Sequence, residues 1–406
     1  MHTRHWNWLG TVMILFCLPG FGATPKPVEA YMQRVQKLVV EHRRKESRLQ
    51  APAELVADAL IAGGAFYMGG SDDGWISEGT GRAGGMMAPR PLSPTTDVHP
   101  GDVVWLSYSA DSYDAQLQAA KELEQKKCLV VAFGPRPTSG APGFQHWIDS
   151  LTPANADHNF TLMGNVLSLW TLTGEVAAAS ARRGKTLVFY QSMFMPGSTH
   201  HNALYRGHTF HSSGEPQMQP VQPGVAGRAY LDSIDKMVRE IRAQETGKIV
   251  EVGKEMGQRA GSNPAVITAQ AHMVGHEFWG EGKWFQTQKG DLETALGSGG
   301  MLIFLGYYNG VPQQMWDAVR RAKAKGVWAL APALDEKLTL QPDGEQVHPG
   351  QELDFKQYGD VFINQHWDVG DAATTMPGYD IRILPPSAEA QLFIYEALMR
   401  AAGAQP

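Results

Sequence analysis

One spacing recurs along this chain and constrains its fold more than any other feature. Asp102-Val-Val-Trp-Leu-Ser-Tyr-Ser109 and Met301-Leu-Ile-Phe-Leu-Gly-Tyr-Tyr308 are both apolar runs ending in a small residue and a tyrosine. Leu305 follows Leu106 by 199 residues, and Tyr307 follows Tyr108 by the same interval. A helical stretch comes after each run, Ala115–Lys127 and Met315–Lys325. A second apolar run follows each helix, Leu129–Phe133 and Val327–Ala331. The same offset maps Tyr31 to Tyr230 within two stretches of helical period, Val28–Val40 and Arg228–Ile241. It also maps Glu78 to Glu277 and Gly81 to Gly280. Self-similarity at a fixed period is the signature of a duplicated structural unit.

The strands are continuously apolar rather than alternating, which means burial on both faces, as in a parallel sheet covered by helices. The chain therefore reads as α/β: two tandem three-layer α/β/α units with parallel sheets. The units span residues 23–192 and 228–406. Residues 193–227, rich in Gly, Pro, Gln and His, read as an inter-repeat excursion, either linker or lid.

With 406 residues, 43% hydrophobic and only 19% charged, the chain has material for full cores rather than disorder. The formal net charge is −6 and no Lys/Arg run stands out, which disfavours nucleic-acid and anionic-membrane partners. Two cysteines, Cys17 and Cys128, exclude a disulfide scaffold. Arg4, the apolar run Leu9–Leu18 and Pro19-Gly20-Phe21-Gly22 have the layout of a signal peptide, residues 1–22. The expectation is an exported protein, periplasmic or extracellular, with no membrane attachment after cleavage. A homo-oligomer is compatible with the sequence.

In parallel sheets covered by helices, ligands bind beyond the carboxyl ends of the strands. The loops to inspect are Met68–Gly85, Ser107–Asp114, Gln270–Lys283 and Gly306–Pro312. Ser107, Ser109 and Ser112 lie between a buried strand and a helix start, where hydroxyls and free N–H groups suit a phosphate or carboxylate. The same serines also suit plain helix capping. Asp111 opposes a phosphate and suits sugar hydroxyls. The second copy has Tyr307, Tyr308 and Asn309 there, without those serine hydroxyls; they are candidate substrate contacts, the two rings for stacking on a sugar. His272 and His276, spaced i and i+4 and followed by Glu277, share a helix face and are a candidate pair for Zn²⁺ or another divalent ion. Further ligands are sought among His200, His201, His208, His211 and His366. No other cofactor is required by the sequence.

The run strand, Ser107-Tyr-Ser109-x-x-Ser112, helix resembles the sugar isomerase (SIS) domain, a Rossmann-like fold. Gly69-Gly70-Ser71, Glu78 and Gly81-Arg82 are similar to the first loop of phosphoheptose isomerases. Arg82-Ala-Gly-Gly85, Val369-Gly-Asp-Ala372 and Pro386-Ser387 are similar to segments of uncharacterised SIS proteins. The pair of units looks like the isomerase half of glucosamine-6-phosphate synthase. Ala110 and Asp111 depart from the Gly and Asn usual in the family. The resemblance implies a sugar or sugar-phosphate ligand held by Gly70, Ser71, Arg82, Ser107, Ser109, Asp111 and Ser112. It implies a Glu base at Glu78 or Glu277; the acid would be a histidine, His272, His276 or His201. It also implies zinc for some relatives. The leading expectation is an exported sugar isomerase; the alternative is a non-catalytic exported sugar-binding protein that keeps the fold.

Overall fold

The computed structural model describes residues 25–137, 140, 143–192, 195, 197–259, 266–270, 292–307, 313–331, 338–339, 352–353, 360–368 and 370–403. The chain starts with α1 (Lys26–Arg44) and, after a 3-10 turn, α2 (Gln50–Ile61). The first sheet follows: β1 (Phe66–Gly70), α3 (Asp73–Gly79), β2 (Arg90–Pro91), β3 (Val103–Ser107), α4 (Tyr113–Gln125), β4 (Leu129–Gly134) and β5 (Trp147–Asp149). Its order is β2-β1-β3-β4-β5, all parallel, with Phe66 opposite Val103 and Val103 opposite Leu129. Every residue of β3 is buried, as its unbroken apolar run requires.

Helix α5 (His158–Arg182) runs next, then α6 (Ser198–Tyr205), α7 (Val225–Gln244) and α8 (Thr246–Arg259). A second parallel sheet contains β6 (Val266–Gln270), β7 (Met301–Tyr307) and β8 (Lys325–Ala331), with α9 (Leu292–Leu296) and α10 (Gln313–Arg321) between them. Short pieces β9 (Leu338–Thr339) and β10 (Glu352–Leu353) precede β11 (Val361–Asn364), which completes the order β11-β8-β7-β6. Strands β12 (Thr374–Thr375) and β13 (Arg382–Ile383) lead into the closing helix α11 (Ser387–Ala401).

The two halves lock through their helices. Helix α1 buries Val28, Tyr31, Met32, Val35, Leu38, Val39 and His42, one face at helical spacing. Each of these positions has a buried counterpart 199 residues later in α7, from Gly227 to Ile241. The two faces pack on each other, α5 packs on α2 and α7, and α11 packs on α8 and α1. One apolar cluster therefore joins both halves. Its axis is α5, buried without interruption from Phe160 to Ala181.

Two buried polar side chains inside this core, Glu175 and His42, are matched. Glu175 of α5 accepts the Gly224 and Gly227 N–H groups at 2.7 and 2.8 Å, satisfying donors that the start of α7 leaves open. His42 places one ring nitrogen 3.0 Å from Leu38 O and the other 3.1 Å from Ser168 Oγ. Burial drives its pKa down to about 3, so it is a neutral core histidine.

Residues 193–227 carry α6 where they are described and are stitched to the body. The His211 N–H donates to Thr186 O, Met218 N–H to Thr186 Oγ1 and Gln219 N–H to Pro377 O. The excursion expected from composition is thus, in its described part, a packed element touching both halves.

Candidate functional site

Three strand ends converge at Gly70, Ser107 and Gly134. Gly70 has φ +130°, and a Cβ there would meet Ser107 N, O and Oγ at about 2.5 Å, so only glycine fits. This close approach lets Ser71 N–H donate to Ser107 O and brings Ser71 against the serine loop. Ser112 Oγ donates to Ser71 Oγ at 2.8 Å and lies 3.2 Å from Ser109 Oγ. The Ser109 N–H donates to Ser112 Oγ at 2.9 Å. Ser107 Oγ is buried and has no hydrogen-bond partner among the described residues. Ser71 and Asp111 are exposed, and Ser109 and Ser112 are half-buried. The result is a cradle of hydroxyls at the rim of the first sheet. Beside it, Tyr108, Ala110, Tyr113, Pro135, Arg136 and Asn155 line a cavity of about 270 Å³.

Glu78 and Arg82 are elsewhere. Asp72 caps α3 by accepting the Trp75 N–H at 2.9 Å, and Glu78 sits near the other end of that helix, fully buried. Arg82 Nη1 lies 3.4 Å from Glu78 Oε2, and Arg82 Nη2 donates to Asp371 Oδ2 at 2.9 Å and to Ser387 Oγ. Asp371 also accepts from Ser387, N–H at 3.2 Å and Oγ at 2.9 Å. Asp371 has φ +45°, the left-handed region, which Asp tolerates better than most residues. Tyr230 donates to Glu389 Oε1 at 2.5 Å in the same interior. Glu78 and Asp371 thus share the Arg82 guanidinium out of contact with solvent, and Glu389 is buried in the same interior.

Burial resolves this excess of carboxyls. It pushes Glu78 up to about 7, with Asp371 adding to the rise and Arg82 opposing it. It pushes Glu389 up to about 8 against the pull of the Tyr230 hydroxyl, while Glu78 and Asp371 add to the rise. The charged pair at the centre is therefore Arg82–Asp371. It joins the two sequence segments, Arg82-Ala-Gly-Gly85 and the stretch from Gly370 to Ser387, across 289 residues.

His201 lies in α6 with Nε2 3.0 Å from Phe189 O and its ring edge-on to Tyr205. His211 is buried nearby between Glu215, at 3.3 Å, and Tyr379, whose hydroxyl is 3.0 Å away. Among the described residues no group of three or more His, Cys, Asp or Glu side chains could hold a metal ion. His272, His276 and Glu277 lie outside the described residues, as do Tyr308 and Asn309; Tyr307 closes β7. The signal-peptide expectation also falls outside them.

The strand-end reading passed over one residue. His158, the first residue of α5, places Nε2 3.4 Å from Asp72 Oδ2, immediately beside Ser71. The usable signal was Asp157-His158 opening a long apolar run, a helix start; its position beside the first strand end came only from the fold.

No family model matches the chain, and no curated protein matches it. Solved structures of similar course include one provisionally named a phosphosugar isomerase from Silicibacter pomeroyi DSS-3, 8% identical, covering 93% of this chain and 97% of that one, TM-score 0.47. Another is the C-terminal domain of glucosamine-fructose-6-phosphate aminotransferase from Francisella tularensis, 10% identical, covering 92% and 97%, TM-score 0.48. A third, provisionally named a sugar binding protein, comes from Salmonella typhimurium LT2, 10% identical, covering 93% and 100%, TM-score 0.46. At such identities the likeness concerns the course of the chain alone. The α/β assignment rests on the two parallel sheets.

Proposed function

We propose that the chain is a sugar-derivative-binding protein of the SIS type, with Ser71, Ser107, Ser109 and Ser112 as its ligand seat. The observation that carries this reading is the cradle itself: hydroxyls at the strand ends, beside a cavity, with one buried hydroxyl left without a partner among the described residues. Hydroxyls of this kind donate equally well to a phosphate, a carboxylate or the oxygens of a sugar. The same reading takes residues 23–192 and 228–406 as diverged copies of one unit, supported by the matching sheet orders and the shared buried positions of α1 and α7. It keeps residues 1–22 as an export signal and a periplasmic or extracellular location. A thermal-shift screen of sugars and sugar phosphates tests it. A stabilising ligand raises the melting temperature of the wild type, and Ser112→Ala should remove most of that rise. An unchanged rise in Ser112→Ala would move the seat elsewhere.

A second reading, aldose–ketose isomerisation with Glu78 as base and a histidine such as His201 as acid, has one observation in its favour. A carboxyl pushed up to about 7 is matched to proton transfer near neutral pH. Against it stands the complete burial of Glu78 beside Arg82. If it holds, Glu78→Gln abolishes exchange of the substrate's carbon-bound proton with solvent deuterium. Wild-type exchange then falls as pH drops below about 7, where the base is protonated. Full exchange in Glu78→Gln rules out this base.

A further inference from the structure

Asn165 sits in α5 where the helix is buried on every side, and is itself 2% exposed. Asn is a weak helix former, and burying its carboxamide is costly unless the group is bonded. The Nδ2 group donates to Tyr108 O at 3.3 Å. The Oδ1 atom is buried and has no hydrogen-bond partner among the described residues. A leucine of similar size would bring no such oxygen into the core. What a leucine could not do is hold the Tyr108 carbonyl.

Tyr108 stands between the end of β3 and Ser109, and it is anchored three times. Its N–H donates to Phe133 O at 2.9 Å, its hydroxyl donates to Pro135 O at 2.9 Å, and its carbonyl accepts from Asn165. The third anchor is the one that bears on the serines. The Tyr108 carbonyl and the Ser109 N–H belong to one planar peptide unit, so fixing the first fixes the direction of the second. The Ser109 N–H donates to Ser112 Oγ at 2.9 Å, and Ser112 Oγ donates to Ser71 Oγ at 2.8 Å.

The opposite wall of the cradle is tied to the same residue. Trp75 of α3 donates its indole N–H to Asn165 O at 3.3 Å, and α3 is capped by Asp72, the neighbour of Ser71. The side chain at 165 therefore holds the serine-loop wall, and its main chain holds the Ser71 wall.

We infer that Asn165 is a positioning residue of the serine cradle: it orients the Tyr108–Ser109 peptide so that Ser109 and Ser112 present their hydroxyls to the phosphate, carboxylate or sugar oxygens of the ligand. This role rests on the serines being the ligand seat. Asn165 is too buried to touch a ligand itself and acts through the loop.

Calorimetric titration of the full chain with inorganic phosphate, together with hydrogen exchange, tests this. Asn165→Leu removes the donor at nearly constant volume and should weaken binding about threefold to tenfold, the worth of one neutral hydrogen bond. Exchange should quicken over residues 107–113 and stay unchanged in α5, which a general loosening of the core would not produce. Thr171→Val removes another buried α5 hydroxyl, one that donates to Leu167 O at 2.6 Å within the helix, and should leave both readouts as in the wild type. Asn165→Ser, which also removes the donor, is read in the same way should Asn165→Leu not fold. Ser112→Ala reports the cradle independently. If Ser112→Ala weakens binding but the Asn165 variant stays within about twofold of wild type, the role of Asn165 is overturned and the cradle stands. The same holds if binding weakens without faster exchange confined to the loop, if Thr171→Val has an equal effect, or if neither Asn165 variant folds. Binding unaffected by Ser112→Ala, or no binding to the wild type, overturns the cradle and Asn165 with it.

Discussion

Replacing Arg82 with methionine should cost about 3–5 kcal/mol of folding stability, the range found when one partner of a buried ion pair is removed. The expectation follows from the surroundings. Asp371 is fully buried in a left-handed backbone conformation and would lose its only guanidinium partner among the described contacts. Glu78, already pushed up by burial, would lose the one charge that opposes the rise. Methionine matches the length of the side chain, so the loss reports charge and hydrogen bonding more than volume. Denaturant unfolding measures it. The companion Asp371→Asn should cost less than Arg82→Met, because Asn still accepts from Ser387 and leaves no bare carboxylate. A loss below about 1 kcal/mol for Arg82→Met would mean that water reaches the network and screens it.

The second large effect is a fall in stability as pH rises through neutrality. Glu78 and Glu389 hold their protons in the folded state up to about 7 and about 8, whereas an ordinary Glu ionises near 4.5. A group whose folded pKa is raised contributes stability that is complete below its unfolded pKa and is lost as pH climbs through the folded value. The window therefore opens near 4.5 and closes near 7 for Glu78 and near 8 for Glu389. Each pKa unit corresponds to about 1.4 kcal/mol, so the two groups together forfeit several kcal/mol across it. Glu54, Glu245 and Glu255 are held low by their Arg, Lys and His neighbours and pull the other way at acid pH. The curve should therefore peak on the acid side of neutrality. Unfolding free energies measured across this range, for the wild type and for Glu389→Gln, separate the contributions. Gln keeps an acceptor for Tyr230 and cannot ionise, so its decline should be shallower. Parallel curves would place Glu389 outside the titrating network.

The sheets were legible because a strand buried on both faces must be apolar throughout, and Val103–Leu106 and Met301–Leu305 are. The helices α1 and α7 were legible because a half-buried helix alternates at 3.6 residues, which Tyr31, Val35 and Leu38 show. Helix α5 was not, since a helix buried on every side from Phe160 to Ala181 carries no periodic contrast. The Arg82–Asp371 pair was invisible as a pair: its members stand 289 positions apart, and nothing in either segment names the other. Arg82 was read as a ligand contact from the resemblance of Gly81-Arg82 to the first loop of phosphoheptose isomerases, but a place in a loop does not fix the direction of a long side chain. Here the guanidinium reaches inward to Asp371 and Ser387. His158 escaped attention for the converse reason. It lies outside the strand-end loops, and only the packing of α5 against α3 brings it to Asp72.

The most direct test of the central claim is a crystal structure of the protein with a sugar phosphate from the thermal-shift screen. The account predicts the ligand's polar end against Ser71, Ser109 and Ser112, beyond the carboxyl ends of β1 and β3, with Glu78 still paired to Arg82 and shielded from it. A ligand bound away from those serines, or one in direct contact with an opened Glu78, would contradict it.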